Sequence, residues 1–306
     1  MAYFSTRRYR KACDLMTNEK RIFITGCSSG FGYLIARELA IKGHRVYASM
    51  RDIGDKNKTK KDELENFGKE KNYSLNVIEC DVLDDTSVNA AIKKIVNEVD
   101  GVDVLINNAG YGIYGPIEYG DEEKIKHSID TNVFGYIRTI KAILPLMREN
   151  RKGHIINISS VLGVLGLPMM GFYNACKFAI EGLSQALLGE CYLFGIDVSI
   201  VNPHMFSTDF AGRSAKYARK PSETGEYEDA FSTLLEKQSN LINPKSGPEE
   251  VAKKVAWLVN KKNPPFRVPV GKNARRDMFF ARWLNPLLLQ KIAAKLYGMS
   301  NVFKKL

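Results

Sequence analysis

A doubly wound α/β fold, one parallel sheet with helices on both faces, is predicted by three features of this sequence. Seven short apolar runs alternate with segments of helical periodicity. A glycine-rich turn joins the first run to the first helix. The other distinctive motifs also fall just after a strand, where ligands bind in such sheets. Alternation of this kind implies right-handed crossovers.

The elements follow in order. Arg21–Thr25 (RIFIT) is apolar and ends at Gly26, so it reads as a strand. Tyr33–Lys42 has apolar residues at helical spacing and stops at Gly43. Arg45–Met50 is strand-like, and the polar, Lys-rich stretch 52–73 holds a helical piece around Asp62–Lys71. Leu75–Cys80 is a strand, Thr86–Val99 an amphipathic helix and Val102–Ile106 a strand. Glu122–Arg148 is a long helical stretch, followed by the strand His154–Ile158. Tyr173–Phe194 is a helix ended by Gly195, and Asp197–Val201 is a strand. Residues 203–246 are less regular and rich in Gly, Ser and Lys. Pro248–Val259 reads as a helix and Phe266–Val270 as the last strand. Arg275–Tyr297 is apolar and basic, and Pro286 should split it into two short helices.

Composition bounds the function. The 306 residues are 44% apolar and 26% charged, too apolar for a disordered chain and too charged for an integral membrane protein. The five cysteines are odd in number and widely spaced, without a C-x-x-C pair. That excludes a zinc ribbon, argues against a disulfide scaffold and suggests a reducing, cytoplasmic location. No metal site is expected. The net charge is +11, and residues 245–306 alone hold 14 Lys/Arg against Glu249, Glu250 and Asp277. The rest is balanced, which argues against nucleic-acid binding. Residues 1–15 are basic and lack the apolar core of a secretory signal. A disordered extension ahead of Met16 is expected there, with a short basic targeting arm as the competing reading. Residues 16–306 are expected to form one domain, with 203–246 as a substrate loop region and 272–306 as a C-terminal extension.

Several residue groups carry chemistry. Thr25-Gly26-Cys27-Ser28-Ser29-Gly30-Phe31-Gly32 lies between strand and helix. Its glycines allow a tight turn and close approach to a pyrophosphate, and the helix N-terminus offers N–H groups to the anion. A site for NAD usually has an acid at the end of the second strand. Here that end reads Ser49-Met50-Arg51-Asp52, and a guanidinium suits a 2′-phosphate. Asn107-Asn108-Ala109-Gly110 follows the fourth strand as a tight turn. Tyr173 and Lys177 are four apart and share a helix face. A nearby ammonium should lower the phenol's pKa from its usual ~10. Ser160 ends the preceding strand, and its hydroxyl can donate to a carbonyl oxygen.

Together with Asn132 in Asp130-Thr131-Asn132-Val133, this set resembles the short-chain dehydrogenase/reductase family in order and spacing, from about residue 20 to 210. The stretch from Ser160–Pro168 through Tyr173, with Lys177–Leu183, looks most like its hydroxysteroid and retinol dehydrogenase branch, and Tyr47–Asp52 like the NADP-preferring members. The resemblance implies a Rossmann fold and NADP(H) in preference to NAD(H). Gly26, Gly30 and Gly32 would shape the phosphate turn, with Ser28, Ser29 and Phe31 beside them. Arg51 would meet the 2′-phosphate. Asp81 and Val82 would flank the adenine, and Asn108, Ala109 and Gly110 would line the cofactor. Tyr173 is implied as general acid/base and Ser160 as partner of the substrate oxygen. Lys177 would bond the nicotinamide ribose, and Asn132 would hold a water relaying protons to Lys177. Pro203 and Thr208 would lie at the nicotinamide. The family's Pro-Gly is here Pro203-His204, so His204 either points to solvent or crowds the substrate.

The expected pocket sides are Val161, Leu162, Leu165, Leu167, Phe172, Met205 and Phe206, which suit a lipophilic alcohol, ketone or aldehyde of steroid, retinoid or long-chain type. The C-terminal segment reads as a lid, a subunit contact or a peripheral membrane contact. The resemblance also implies a homodimer or homotetramer paired through Glu122–Arg148 and Tyr173–Phe194. Other readings are a non-catalytic NADP(H)-binding regulator, a 3-oxoacyl reductase-like enzyme, and an epimerase or dehydratase of the same fold. The intact Asn132, Ser160, Tyr173 and Lys177 count against the regulator, and the short remainder of the chain counts against the epimerase or dehydratase.

Overall fold

The computed structural model describes residues 19–206, 215–241 and 247–296. Expectations for residues 1–15, Thr208 and Tyr297 lie outside these residues, as does part of the 203–246 region.

The described strands are β1 (Arg21–Ile24), β2 (Arg45–Met50), β3 (Leu75–Glu79), β4 (Val104–Asn107), β5 (Gly112–Tyr114), β6 (Gly153–Ile158), β7 (Ile196–Pro203), β8 (Ala215–Tyr217) and β9 (Arg267–Val270). The helices are α1 (Gly30–Ile41), α2 (Lys58–Lys71), α3 (Asp85–Val99), α4 (Glu122–Ile129), α5 (Gly135–Glu149), α6 (Gly171–Tyr192), α7 (Glu228–Leu241), α8 (Glu249–Val259), α9 (Ala274–Trp283) and α10 (Pro286–Leu296). Seven strands form one sheet in the order β3-β2-β1-β4-β6-β7-β9, and every pairing in it is parallel. This is the expected Rossmann-type fold. The seven strands read from the sequence are these seven.

Both faces of the central strands β4 and β6 are buried, which explains their near-continuous apolar runs. Ile22 and Ile24 of β1 join Val104, Ile106, Ile156 and Ile158 under α1 and α8. Phe23 points the other way and joins Leu105 and Ile155 beneath α3, α5 and α6. The strand order reverses between β1 and β4, opening a crevice beyond their carboxyl ends, the usual ligand position.

Three features differ from the sequence reading. The stretch Glu122–Arg148 is not one regular helix: Asp130–Phe134 forms a π-turn between α4 and α5. β5 and β8 form a second, two-stranded parallel sheet. The irregular 203–246 region contains α7, whose Phe231 and Leu234 are fully buried.

Candidate active site

A cavity of about 1540 Å³ lies over the carboxyl end of the sheet. One end is built from the turn after β1. Gly26 and Gly30 have φ of +72° and +57°, which glycine adopts without strain. A side chain at Gly26 would run into Ala109, and one at Gly32 into the Gly26 carbonyl and Asn108. The two turns are bolted together: Asn108 Nδ2 donates to the Thr25 and Gly26 carbonyls at 2.9 and 3.0 Å. The backbone N–H groups of Asn108 and Ala109 donate to Thr25 Oγ1, each at 3.0 Å.

α1 then begins without a side-chain cap at Ser29 and without an acid in its first turn. α3 and α4 are instead capped by Asp84 and Asp121. The uncapped start of α1 suits an anion, since its first N–H groups lack helical partners. These residues fit the dinucleotide that the sequence motifs imply. Ser28, Ser29, Gly30 and Phe31 line the cavity there, with Arg51, Asp81, Val82, Asn108, Ala109 and Gly110. Arg51 is half-exposed, with Asp52 and Asp81 each 3.9 Å from its guanidinium. Gly32 lies behind the turn and does not line the cavity.

Asn132, Ser160, Tyr173 and Lys177 line the middle of the cavity. Asn132 sits in the π-turn, whose extra residue breaks the helical register locally; such turns cluster at functional sites. Its Nδ2 donates to the Tyr111 and Ser128 carbonyls at 2.9 and 3.0 Å. Its Oδ1 is buried without a protein partner, beside Gly110, where any side chain would collide with it. A buried acceptor in this position suits an ordered water.

Ser160 follows β6, and its Oγ accepts the Leu162 N–H at 3.1 Å. Behind it, Asn202 Nδ2 donates to the Ser160 carbonyl at 3.0 Å and to Glu181 Oε1 at 2.6 Å. Glu181 is buried and accepts Arg267 Nε at 2.9 Å, so α6, β7 and β9 jointly hold the Ser160 backbone.

Tyr173 and Lys177 share a face of α6, as their spacing predicts. Lys177 Nζ donates to the Ile158 carbonyl at 3.0 Å and lies 5.6 Å from the centre of the Tyr173 ring. The expected lowering of the phenol's pKa is not what the site produces. Burial raises Tyr173 above its ordinary value, Tyr114 and Cys176 add to the rise, and a hydrogen bond with Ser160 opposes it. Burial also brings Lys177 down to about 8. Desolvation outweighs the neighbouring charge, and each group is shifted toward its neutral form.

The far end of the cavity is mostly apolar. Val161, Leu162, Leu165, Leu167, Met205 and Phe206 line it as expected, and Pro203 lies at its edge. Phe172 does not line it; its ring lies against Gly120, because the residue before Tyr173 on a helix points to a different side. His204 also lines the cavity, and its Nε2 lies 3.1 Å from Asp277 Oδ2. The ring is thus turned toward α9 instead of lying loose in solvent. Sequence reasoning missed Tyr114 on β5, Met170, Leu235 on α7 and Ala293 on α10, whereas Phe280, Leu284 and Leu289 of the C-terminal segment line the cavity as its reading as a lid implies. Leu235 had a legible signal, since Phe231, Leu234 and Leu235 follow helical spacing. Tyr114 had none, because β5 pairs with a strand about a hundred residues away.

A sequence model described as short chain dehydrogenase matches residues 20–218. A 3-ketodihydrosphingosine reductase from Bacteroides thetaiotaomicron is 38% identical over 272 residues, covering 88% of this chain and 94% of that protein. Human retinol dehydrogenase 8 is 36% identical over 257 residues, covering 81% of this chain and 80% of that protein. Among solved structures, a short-chain dehydrogenase from Streptomyces avermitilis superposes with a TM-score of 0.73 at 26% identity, covering 93% of this chain and 99% of that one.

Proposed function

The chain belongs to the short-chain dehydrogenase family and is an oxidoreductase, and from that premise we propose that it interconverts a lipophilic alcohol and its ketone or aldehyde with NADP(H). The observation that carries this reading is the placement of Tyr173, Ser160, Lys177 and Asn132 between a dinucleotide-shaped turn and an apolar chamber. Two similar proteins are named for a long-chain amino ketone and for retinol, both lipophilic, which agrees with that chamber.

The chain's residues then have distinct tasks. A bound nicotinamide supplies or accepts the hydride. The Tyr173 phenol, shifted toward its neutral form by burial, donates its proton to the substrate oxygen in reduction and is reprotonated through the Lys177–water relay. In oxidation the relay first takes the phenol's proton, and the phenolate then accepts the proton of the alcohol. The Ser160 hydroxyl donates a hydrogen bond to the same oxygen, and the Leu162 N–H orients that hydroxyl. Lys177 keeps a charge beside the phenol, anchored on the Ile158 carbonyl. Asn132 Oδ1 holds the water that passes protons toward Lys177. Arg51 selects NADP(H) by meeting the 2′-phosphate.

Assembly and location complete the reading. The enzyme is a cytoplasmic homodimer or homotetramer paired through α4, α5 and α6. Phe134 and Phe178 there are 50% and 45% exposed, and Gly182 has nothing within 4 Å of where a side chain would start. A lipophilic substrate also suits peripheral contact with a membrane.

Tyr173→Phe tests the catalytic assignment. Turnover of NADPH with a panel of steroid, retinoid and long-chain ketones and aldehydes should fall by roughly 100-fold or more, the scale of a lost general acid. Binding of NADPH should stay within a few-fold. A variant that keeps a tenth of the wild-type kcat overturns the role of Tyr173.

A further inference from the structure

Helices α9 and α10 are apolar on two sides. The inner side closes the active-site cavity: Phe280, Leu284, Leu289 and Ala293 line it, and Ala293 and Ala294 pack in one cluster with Tyr173. Gln290 Nε2 donates to the Gly166 carbonyl at 3.0 Å, which seats α10 on the loop before α6. The outer side carries Phe279, Trp283, Leu287 and Leu288, which are 59, 71, 48 and 47% exposed. Phe279 makes ring contacts with both Phe280 and Trp283, so the aromatics form one patch. Phe280 and Ile292 belong to both sides: they line the cavity and are each 42% exposed. The apolar wall of the cavity therefore continues onto the outer surface.

Charge identifies what covers that surface. Lys272, Arg275, Arg276, Arg282, Lys291 and Lys295 lie on this segment against Asp277 alone. A second copy seated on the patch would bring two sets of cations together. An anionic lipid surface answers both the aromatics and the cations. Building on the lipophilic-substrate reading above, we propose that α9 and α10 seat the enzyme on an anionic phospholipid bilayer. Phe279, Trp283, Leu287 and Leu288 enter the headgroup boundary, and Arg275, Arg282 and Lys295 meet the phosphates. The substrate then passes from the bilayer along Phe280 and Ile292 to Tyr173, without crossing bulk water.

Trp283 gives a direct readout, because the chain has two tryptophans and Trp257→Phe leaves Trp283 alone. Its emission should shift to the blue, and it should be protected from a soluble quencher, with vesicles of phosphatidylcholine and phosphatidylserine. With phosphatidylcholine alone it should not. Arg275→Ala with Arg282→Ala should weaken vesicle binding by roughly 30-fold, from two surface cations. The same variant should keep its turnover of a short, water-soluble ketone while its KM for a bilayer-resident ketone rises. Three outcomes overturn the proposal. One is no Trp283 response to anionic vesicles. Another is protection of Trp283 before any vesicle is added, which means the chain's own residues cover the patch. The third is a drop in particle mass on Leu287→Glu, without vesicle binding by the parent, which marks a contact between copies. Vesicle binding requires no turnover, so failure to reduce any ketone would count against the proposed reaction and leave the docking result standing.

Discussion

Replacing Arg51 with Ala should separate the two nicotinamide cofactors. Arg51 follows β2 at the cavity wall, where an acid would serve the 2′-hydroxyl of NAD. One charge-assisted contact to a phosphate contributes about 1.5–3 kcal/mol, or roughly 10- to 150-fold in Kd. The guanidinium is 46% exposed, so solvent screening places the effect toward the lower end. A second effect acts in the same direction. Asp52 and Asp81 lie 3.9 Å from the guanidinium, and without it both carboxylates face the 2′-phosphate uncompensated. NADH has no 2′-phosphate and meets neither penalty. Fluorescence titration should therefore show a loss of roughly tenfold or more for NADPH and little change for NADH. The gap should narrow at high salt, because the site is open to counter-ions. Equal losses for both cofactors would refute the assignment of Arg51 and leave NADP(H) preference without its main support.

Two further predictions concern stability. Burial pushes the His154 imidazole down to about 3, helped by Lys20, while the unfolded chain titrates near ~6.5. The folded protein thus favours the neutral ring: the contribution is complete above pH ~6.5 and is lost as pH falls from there toward 3. Urea midpoints measured across that range should fall more steeply for the wild type than for His154→Gln, which can keep the contact with Ser199; parallel slopes would remove His154 as the cause. Arg267→Ala strands the buried Glu181 carboxylate, which is 6% exposed, and should cost about 3 kcal/mol, lowering Tm by several degrees. Arg267→Ala with Glu181→Gln should recover part of that loss in thermal melts, and a single variant that melts like the wild type would show that the pair is not needed.

What could be read from the sequence follows from where burial writes itself into local pattern. β1, β4 and β6 are covered on both faces, so Ile22, Phe23 and Ile24 are all apolar and the run is visible. The motif residues are legible for a related reason: the two turns allow few side chains, because one at Gly26 would strike Ala109 and one at Gly32 would strike Asn108. The π-turn at Asn132 was hidden because one extra residue hardly disturbs the apolar spacing on either side of it. β5 and β8 are three residues each and exist only as a pair, so neither has a period of its own. Tyr173 shows the same limit in its chemistry. Its four-residue spacing from Lys177 announces that the two groups are neighbours, but the direction of the phenol's shift depends on how much water the surroundings exclude. Those surroundings include Leu167 and Met170 from the loop before α6, Phe231 and Leu234 from α7, and Ala293 and Ala294 from α10. The residues that set the proton donor's chemistry thus come from up to about 120 positions away in the chain, and only the folded arrangement brings them to it.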